Sequence, residues 1–243
     1  MMVAIKVNNL RKEYKDIVAV ENLDLEIEEG ELFSLLGVNG AGKTTTIKML
    51  ATLTKPTSGD AYIFDNSITK DSNKIKELID ISMQETAIAR KLTVKENVEF
   101  YAKLSGQSKE EIEESTKYVF DAFELDKVKN KKASKLSGGW QRKLSIALAL
   151  VTKPKVLFLD EPTLGLDVIA RRELWKAIVS LKTKITIILT THYMEEAEAL
   201  SDRIGVMKDG ELLFVGTKDE MYKVSGKNNV EEAFIEIVSG GEL

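Results

Sequence analysis

The chain contains no cysteine, one histidine and three prolines in 243 residues. Without cysteine there are no disulfides, no thiolate metal ligands and no thiol nucleophile. With His192 as the sole imidazole, a multi-histidine zinc site is excluded as well, and a divalent metal has to rest on oxygen ligands. No apolar run approaches the roughly 18 residues of a membrane span. The opening Met1-Met2-Val3-Ala4-Ile5-Lys6 lacks the apolar stretch of a secretory leader. These features predict a cytosolic chain. Charge of one sign is also missing. Lys and Arg number 35 and Asp and Glu 39, for a formal charge of −4, so no global field draws the chain to nucleic acid. The rest is ordinary globular composition, 43% hydrophobic and 30% charged, which excludes a disordered or low-complexity chain. The length suits one large domain or two small ones.

The first third reads as strands. Leu23, Leu25 and Ile27 alternate with Asp24 and Glu26, the period of a half-buried strand. The run Leu32 to Leu36 suits a strand buried on both faces. A glycine-rich stretch follows, then a helix from Thr44 to Leu53, a turn at Pro56-Thr57-Ser58-Gly59, and short strands at Ala61 to Phe64 and Ile79 to Met83. From about Glu85 to Leu136 the texture becomes helical. Thr93 with Glu96 and Ser108 with Glu111 form two capping boxes, each followed by apolar residues at helical spacing. Strands and helices then alternate: a helix through Leu150, strand 156–159, helix 168–181, strand 186–190, helix 194–200, strand 203–207. Asp209-Gly210 turns into a last strand, 211–215. Such alternation predicts a mainly parallel sheet with helices on both faces. The tail from Ser225 holds one amphipathic helix, Val230 to Val238, and frays at Gly240-Gly241.

Gly37-Val38-Asn39-Gly40-Ala41-Gly42-Lys43-Thr44 matches the full phosphate-loop pattern. A triphosphate concentrates negative charge, so several backbone N–H groups have to converge on it, and glycine permits the bends that aim them. The helix that follows turns its positive end to the same phosphates. Lys43 adds a mobile countercharge, and the Thr44 hydroxyl can ligate Mg²⁺. Farther on, Val156 to Leu159 ends in Asp160-Glu161. Carboxylates at the C-terminal edge of a buried strand sit where open α/β sheets bind ligands. Neighbours on a strand point to opposite sides, so the two should differ in role. Asp160 is expected at the metal, and Glu161 beside the attacking water as general base.

Leu136-Ser137-Gly138-Gly139, then Gln141-Arg142 and an apolar helix, resembles the signature motif of ABC ATPases. Gln84 resembles the family's Q-loop glutamine, Gly165-Leu166-Asp167 its D-loop and His192 its switch histidine, while Tyr14 stands where the family sets an aromatic against adenine. The motifs run in family order from roughly Val3 to Gly216. The resemblance implies the nucleotide-binding domain of an ABC transporter: an α/β P-loop NTPase core with a mainly parallel sheet, an N-terminal antiparallel β lobe and an inserted helical lobe over about 85–150, all within 1–225, with a helical tail over 226–243. It implies ATP and Mg²⁺ as cofactors. Tyr14, residues 37–45 (Gly37, Val38, Asn39, Gly40, Ala41, Gly42, Lys43, Thr44 and Thr45) and Ser137, Gly138 and Gly139 would bind nucleotide. Thr44, Gln84 and Asp160 would hold the metal, and Glu161, His192 and Gln84 would act in hydrolysis. Two chains, alike or homologous, would close head to tail, with a separate integral membrane permease as partner, at the cytoplasmic face of the membrane, without nucleic acid.

One residue departs from the family pattern: Trp140 replaces the usual glutamine of the signature, either packing at the dimer seam or filling core. Ser137 is also expected to cap the helix it precedes. The acidic helix 195–203 and Val230 to Phe234 look like ATPase subunits of drug-resistance exporters, although the acidic helix also reads as a solvated face. A coiled-coil DNA-repair or chromosome ATPase would need long heptads, which are missing from the lobe. A translation-type protein would carry two cassettes. A soluble assembly ATPase remains as the alternative function.

Overall fold

The computed structural model describes residues 2–240. Two sheets organise it. The first is antiparallel, with strand order β2-β1-β4-β5, made of β1 (Val3–Tyr14), β2 (Ile17–Glu28), β4 (Ser58–Ile63) and β5 (Asn66–Ser67). In β2, Leu23, Leu25 and Ile27 are buried while Asp24 and Glu26 are exposed, as their alternation predicts.

The second sheet has six strands in the order β10-β9-β3-β8-β7-β6. They are β3 (Leu32–Gly37), β6 (Ile79–Ser82), β7 (Val156–Asp160), β8 (Thr186–Thr191), β9 (Arg203–Lys208) and β10 (Glu211–Gly216). All neighbours pair in parallel except β10 with β9. Every residue of β3, β7 and β8 is buried, and the packing explains why their centres are mostly apolar. Leu157 and Leu159 enter the core on one face, with the long helices, while Val156 and Phe158 enter the core on the other, with the antiparallel sheet. The parallel pairing also brings the C-terminal ends of β3, β6, β7 and β8 to one edge, where the site forms.

Helix α1 (Lys43–Leu50) follows β3, and α2 (Ser72–Leu78) leads into β6. The helical lobe is built on α3 (Val94–Leu104) and α4 (Lys109–Phe123), and both predicted capping boxes are formed. Next come α5 (Gly138–Leu150), α6 (Val168–Val179), α7 (Met194–Leu200), α8 (Lys218–Ser225) and α9 (Val230–Ser239). Val230, Ala233 and Phe234 dock α9 into a small core with Ala197, Ile204 and Val206. Gly240 closes α9 at φ 68°; the fraying expected at Gly241 lies outside the described residues.

Several local expectations are corrected. Helix α1 stops at Leu50 rather than Leu53, because Thr52 turns left-handed at φ 57°. Ser58 and Gly59 belong to β4 rather than to the turn, where Gly59 (φ 76°) lies so close to Asn9 that a Cβ would meet its carbonyl oxygen at 2.1 Å. The segment 84–92 is not helical. Ser137 stands at the N-cap of α5, yet its hydroxyl makes no capping bond, so the first amides of α5 keep their free donors.

Candidate functional site

The glycine loop is shaped by close approaches. A Cβ on Gly37 would lie 2.4 Å from the Met207 carbonyl oxygen of β9, and one on Gly42, at φ 100°, 2.4 Å from that of Ala19. The loop leads into a cleft of about 390 Å³ lined by Asn39 to Thr45, Gln84, Glu161 and His192. Lys43 is 5% exposed. Its Nζ donates to the carbonyls of Gly37 (2.8 Å) and Val38 (3.0 Å) and lies 3.8 Å from Glu161 Oε1. Burial pushes the Lys43 pKa below its ordinary value, and the charges of Glu161 and Asp160 pull it partly back.

Asp160 is buried at the end of β7 and accepts from the hydroxyls of Thr44 (2.9 Å) and Thr190 (2.7 Å). Glu161 is not on the strand, as the sequence suggested. Its backbone is left-handed at φ 46°, and its N–H donates to the Thr190 carbonyl (3.1 Å) and hydroxyl (3.0 Å). A sharp turn, not the strand pleat, separates the two carboxylates. Glu161 Oε1 lies 3.1 Å from His192 Nδ1, at the end of β8. The structure therefore brings Lys43, Thr44, Gln84, Asp160, Glu161 and His192 together around one cleft from four segments of chain.

The oxygen donors fit a magnesium ion. The Thr44 hydroxyl and the Asp160 carboxylate already touch, and the Gln84 side chain borders the same cleft. Among the described residues no cluster of three or more His, Cys, Asp or Glu could hold a metal. A hard ion that keeps waters and shares phosphate oxygens needs only one or two protein ligands.

Ser137 and Gly139 lie elsewhere. With Trp140, Lys143, Asp167 and Ala170 they border a separate depression of about 270 Å³, and Ser137 and Gly138 are exposed. A Cβ on Gly139 would come 2.9 Å from that of Ala170, so small size here lets α5 approach α6. Trp140 is half-buried against the helical core, with the Lys143 ammonium 4.7 Å from its ring centroid and that ammonium 2.9 Å from Glu173. Tyr14 is 45% exposed at the end of β1, with Lys12 Nζ 4.7 Å from its ring. It does not border the Lys43 cleft; Ala19 of β2 does.

Arg142 is an organising residue that the sequence reading passed over as part of a motif. It is buried, and its guanidinium donates to the carbonyls of Met83 (2.7 Å), Pro162 (2.7 Å) and Glu161 (2.6 Å). A cation early in an apolar helix was the only hint. Burial lowers its pKa from the ordinary value, while Asp160, Glu196 and Glu161 hold it up.

The sequence profile of the family described as ABC transporter matches residues 20–164. The chain belongs to the ABC transporter family, and its mixed α/β fold is that of an ABC ATPase domain. It is similar to the human phospholipid-transporting ATPase ABCA3, 43% identical over 89% of this chain and 13% of that protein. It therefore spans only about an eighth of that relative's length. It is also 38% identical, over 93% of its own length and 68% of the relative, to the daunorubicin/doxorubicin resistance ATP-binding protein DrrA of Streptomyces peucetius. Among solved structures it resembles the dimeric ATP-binding cassette MJ0796 in a post-hydrolysis state bound to ADP and Pi, with TM-score 0.77 and 30% identity over 88% of this chain and 98% of that one.

Proposed function

We propose that the chain binds and hydrolyses ATP as the nucleotide-binding subunit of a transporter, powering transport through a separate membrane subunit by way of a head-to-tail dimer, in the direction of export. The observation that carries this reading is the contact of Glu161 with His192 at 3.1 Å, beside Lys43 and the Thr44–Asp160 pair. In it, the amides of residues 37–45 and Lys43 hold the phosphates, and the aromatic ring of Tyr14 borders the base. Thr44, Asp160 and Gln84 would hold Mg²⁺, which when bound neutralises phosphate charge. Glu161 takes a proton from the attacking water, and His192 fixes the Glu161 carboxylate. Ser137, Gly138 and Gly139 of one chain meet the terminal phosphate held by the other. ATP then favours the docked pair because those contacts exist only there.

No helix among the described residues is long and apolar enough to cross a membrane, so in this reading the spans belong to a permease. The relative DrrA, named for drug resistance, supports the export direction. In this reading the unit over 1–225, with its helical lobe over about 85–150, does the chemistry, and α9 of the tail packs on it through Val230, Ala233 and Phe234.

Glu161→Gln tests the site. It should keep ATP binding, slow hydrolysis by roughly 10²–10⁴ and accumulate an ATP-bound dimer on size exclusion; undiminished turnover removes Glu161 from the base role. Purification of the tagged chain from detergent-solubilised membranes should bring down an integral membrane subunit, and a chain that emerges without one overturns the transport reading.

A further inference from the structure

Behind the His192 turn lies a polar cluster that the scheme above does not use. Among the described residues, five buried side-chain polar atoms have no hydrogen-bond partner. Three of them, Thr163 Oγ1, Arg171 Nε and Glu196 Oε2, belong to the loop after Glu161, to α6 and to α7. Unpaired buried polar atoms are rare and mark strain or function. Glu196 is fully buried, and its Oε1 accepts from Trp175 Nε1 of α6 at 3.0 Å. The hydroxyls of Thr191 and Thr163 and the charge of Arg171 face the same carboxyl group; burial raises its pKa, and these neighbours pull it partly back. The cluster reaches the site directly. Arg171 lies 4.8 Å over the Tyr193 ring, and that ring tilts against the His192 imidazole at 4.2 Å. A solvated helix face accounts for Glu195, whose side chain is 82% exposed, but not for a carboxyl group sealed in beside it, since burying such a group is costly.

We propose that Glu196 is a positioning residue for hydrolysis: it ties the Thr163 loop and the His192 turn to α6, so that Glu161 and His192 keep their contact while the loop takes up a docked partner. The inference rests on the roles given above to Glu161 and His192. Glu196 touches no reacting atom and acts through them.

Steady-state ATPase kinetics of the purified chain test it. Glu196→Ala should lower kcat by about tenfold to a hundredfold, the scale of a misplaced catalytic group, while KM for MgATP changes by less than about threefold. Thr163→Val should lower kcat in the same way, and the double variant should be little worse than the more damaging single one, as for residues in one network. Glu196→Gln keeps an acceptor for Trp175 and presents a donor toward Thr163, and should restore most of the lost turnover. If Glu196→Ala does not fold, Trp175→Phe, which deletes the donor to the carboxyl group, and Thr163→Val, which deletes a hydroxyl facing it, take its place in the cycle. A kcat within about twofold of the unmutated protein, multiplying losses in the double variant, or a parallel loss of ATP affinity each overturns the proposal. A Glu161→Gln protein with full turnover would remove the underlying reading. An inactive Glu161→Gln beside a normal Glu196→Ala would remove this inference alone.

Discussion

Lys43 and Ser137 both stand at the start of a helix, α1 and α5, and their surroundings are opposite. Lys43 is 5% exposed and donates to two carbonyls of its own loop, with the neighbouring Thr44 hydroxyl engaged by Asp160. Ser137 is exposed, its hydroxyl makes no capping bond, and it lies in a different depression from the Lys43 cleft. One half of the chemistry is thus held in place before any ligand arrives. The other half is a rigid helix start with unused donors, facing outward. In the proposed reading this difference is the reason for pairing: the donors of Ser137 and its glycines would serve a phosphate brought to them by a second chain.

The strongest way to break this contrast is to disable each half separately. Lys43→Ala and Ser137→Arg should each abolish most ATPase activity. Mixed in equal amounts, half of the randomly formed dimers are hybrids with one whole site of two, so about a quarter of wild-type activity should return. Full turnover by Ser137→Arg alone would show that the outward half is idle. The next effect concerns what joins the halves. Arg142→Ala should leave the carbonyls of Met83, Glu161 and Pro162 without their donor and cost about 3 kcal/mol, which for a chain of this size lowers Tm by about 6–12 °C; calorimetry reads it, and an unchanged Tm would make the clamp dispensable.

A carboxyl group in neither half supplies a control. Asp80 on β6 is bonded by the Ile81 amide and the Thr152 hydroxyl, and burial raises its pKa to about 6. Because the folded value lies above the unfolded one, the protonated side chain costs nothing below about pH 4. Stability is then lost as pH rises through about 6, where the fold has to bury a charge. Asp80→Asn should flatten that slope and gain about 2 kcal/mol near neutral pH, with ATPase activity unaltered; an unchanged pH–stability curve refutes it. The smallest effect belongs to Tyr14. Its loss to alanine should weaken ATP by about 1 kcal/mol and inorganic triphosphate hardly at all. Equal weakening of both by calorimetric titration would assign Tyr14 to the fold.

The sequence made these regions legible to different degrees. The Lys43 loop could be read because its chemistry is contiguous: spacing, glycines and the flanking apolar strand all lie within a few residues. β7 and β8 were plain because burial on both faces gives each a continuous apolar centre, Val156 to Leu159 and Ile187 to Leu189. What stayed hidden depends on distant partners. The bonds of Arg142 reach residues 20 and 59 positions away, and no local pattern announces them. Glu196 shared its acidic run with exposed neighbours, and only packing against Trp175 separates it from them. Strand β1 concealed its alternation behind register shifts and a left-handed Asn9. α2 is seven residues long with a single buried side chain, Ile75, too little to show a period.

The Arg142 clamp has a further consequence. It fastens the helix that begins at Ser137 to the backbone beside Gln84 and at Glu161, so a change at the chain's own cleft has a bonded route to the Ser137 face. Thermodynamic linkage makes such a connection reciprocal: if occupancy of the cleft changes the affinity of the Ser137 face by some factor, a phosphate arriving at that face changes the affinity of the cleft by the same factor. In the proposed symmetric pair each nucleotide would then be weighed by both chains, and equilibrium binding of ATP should be cooperative.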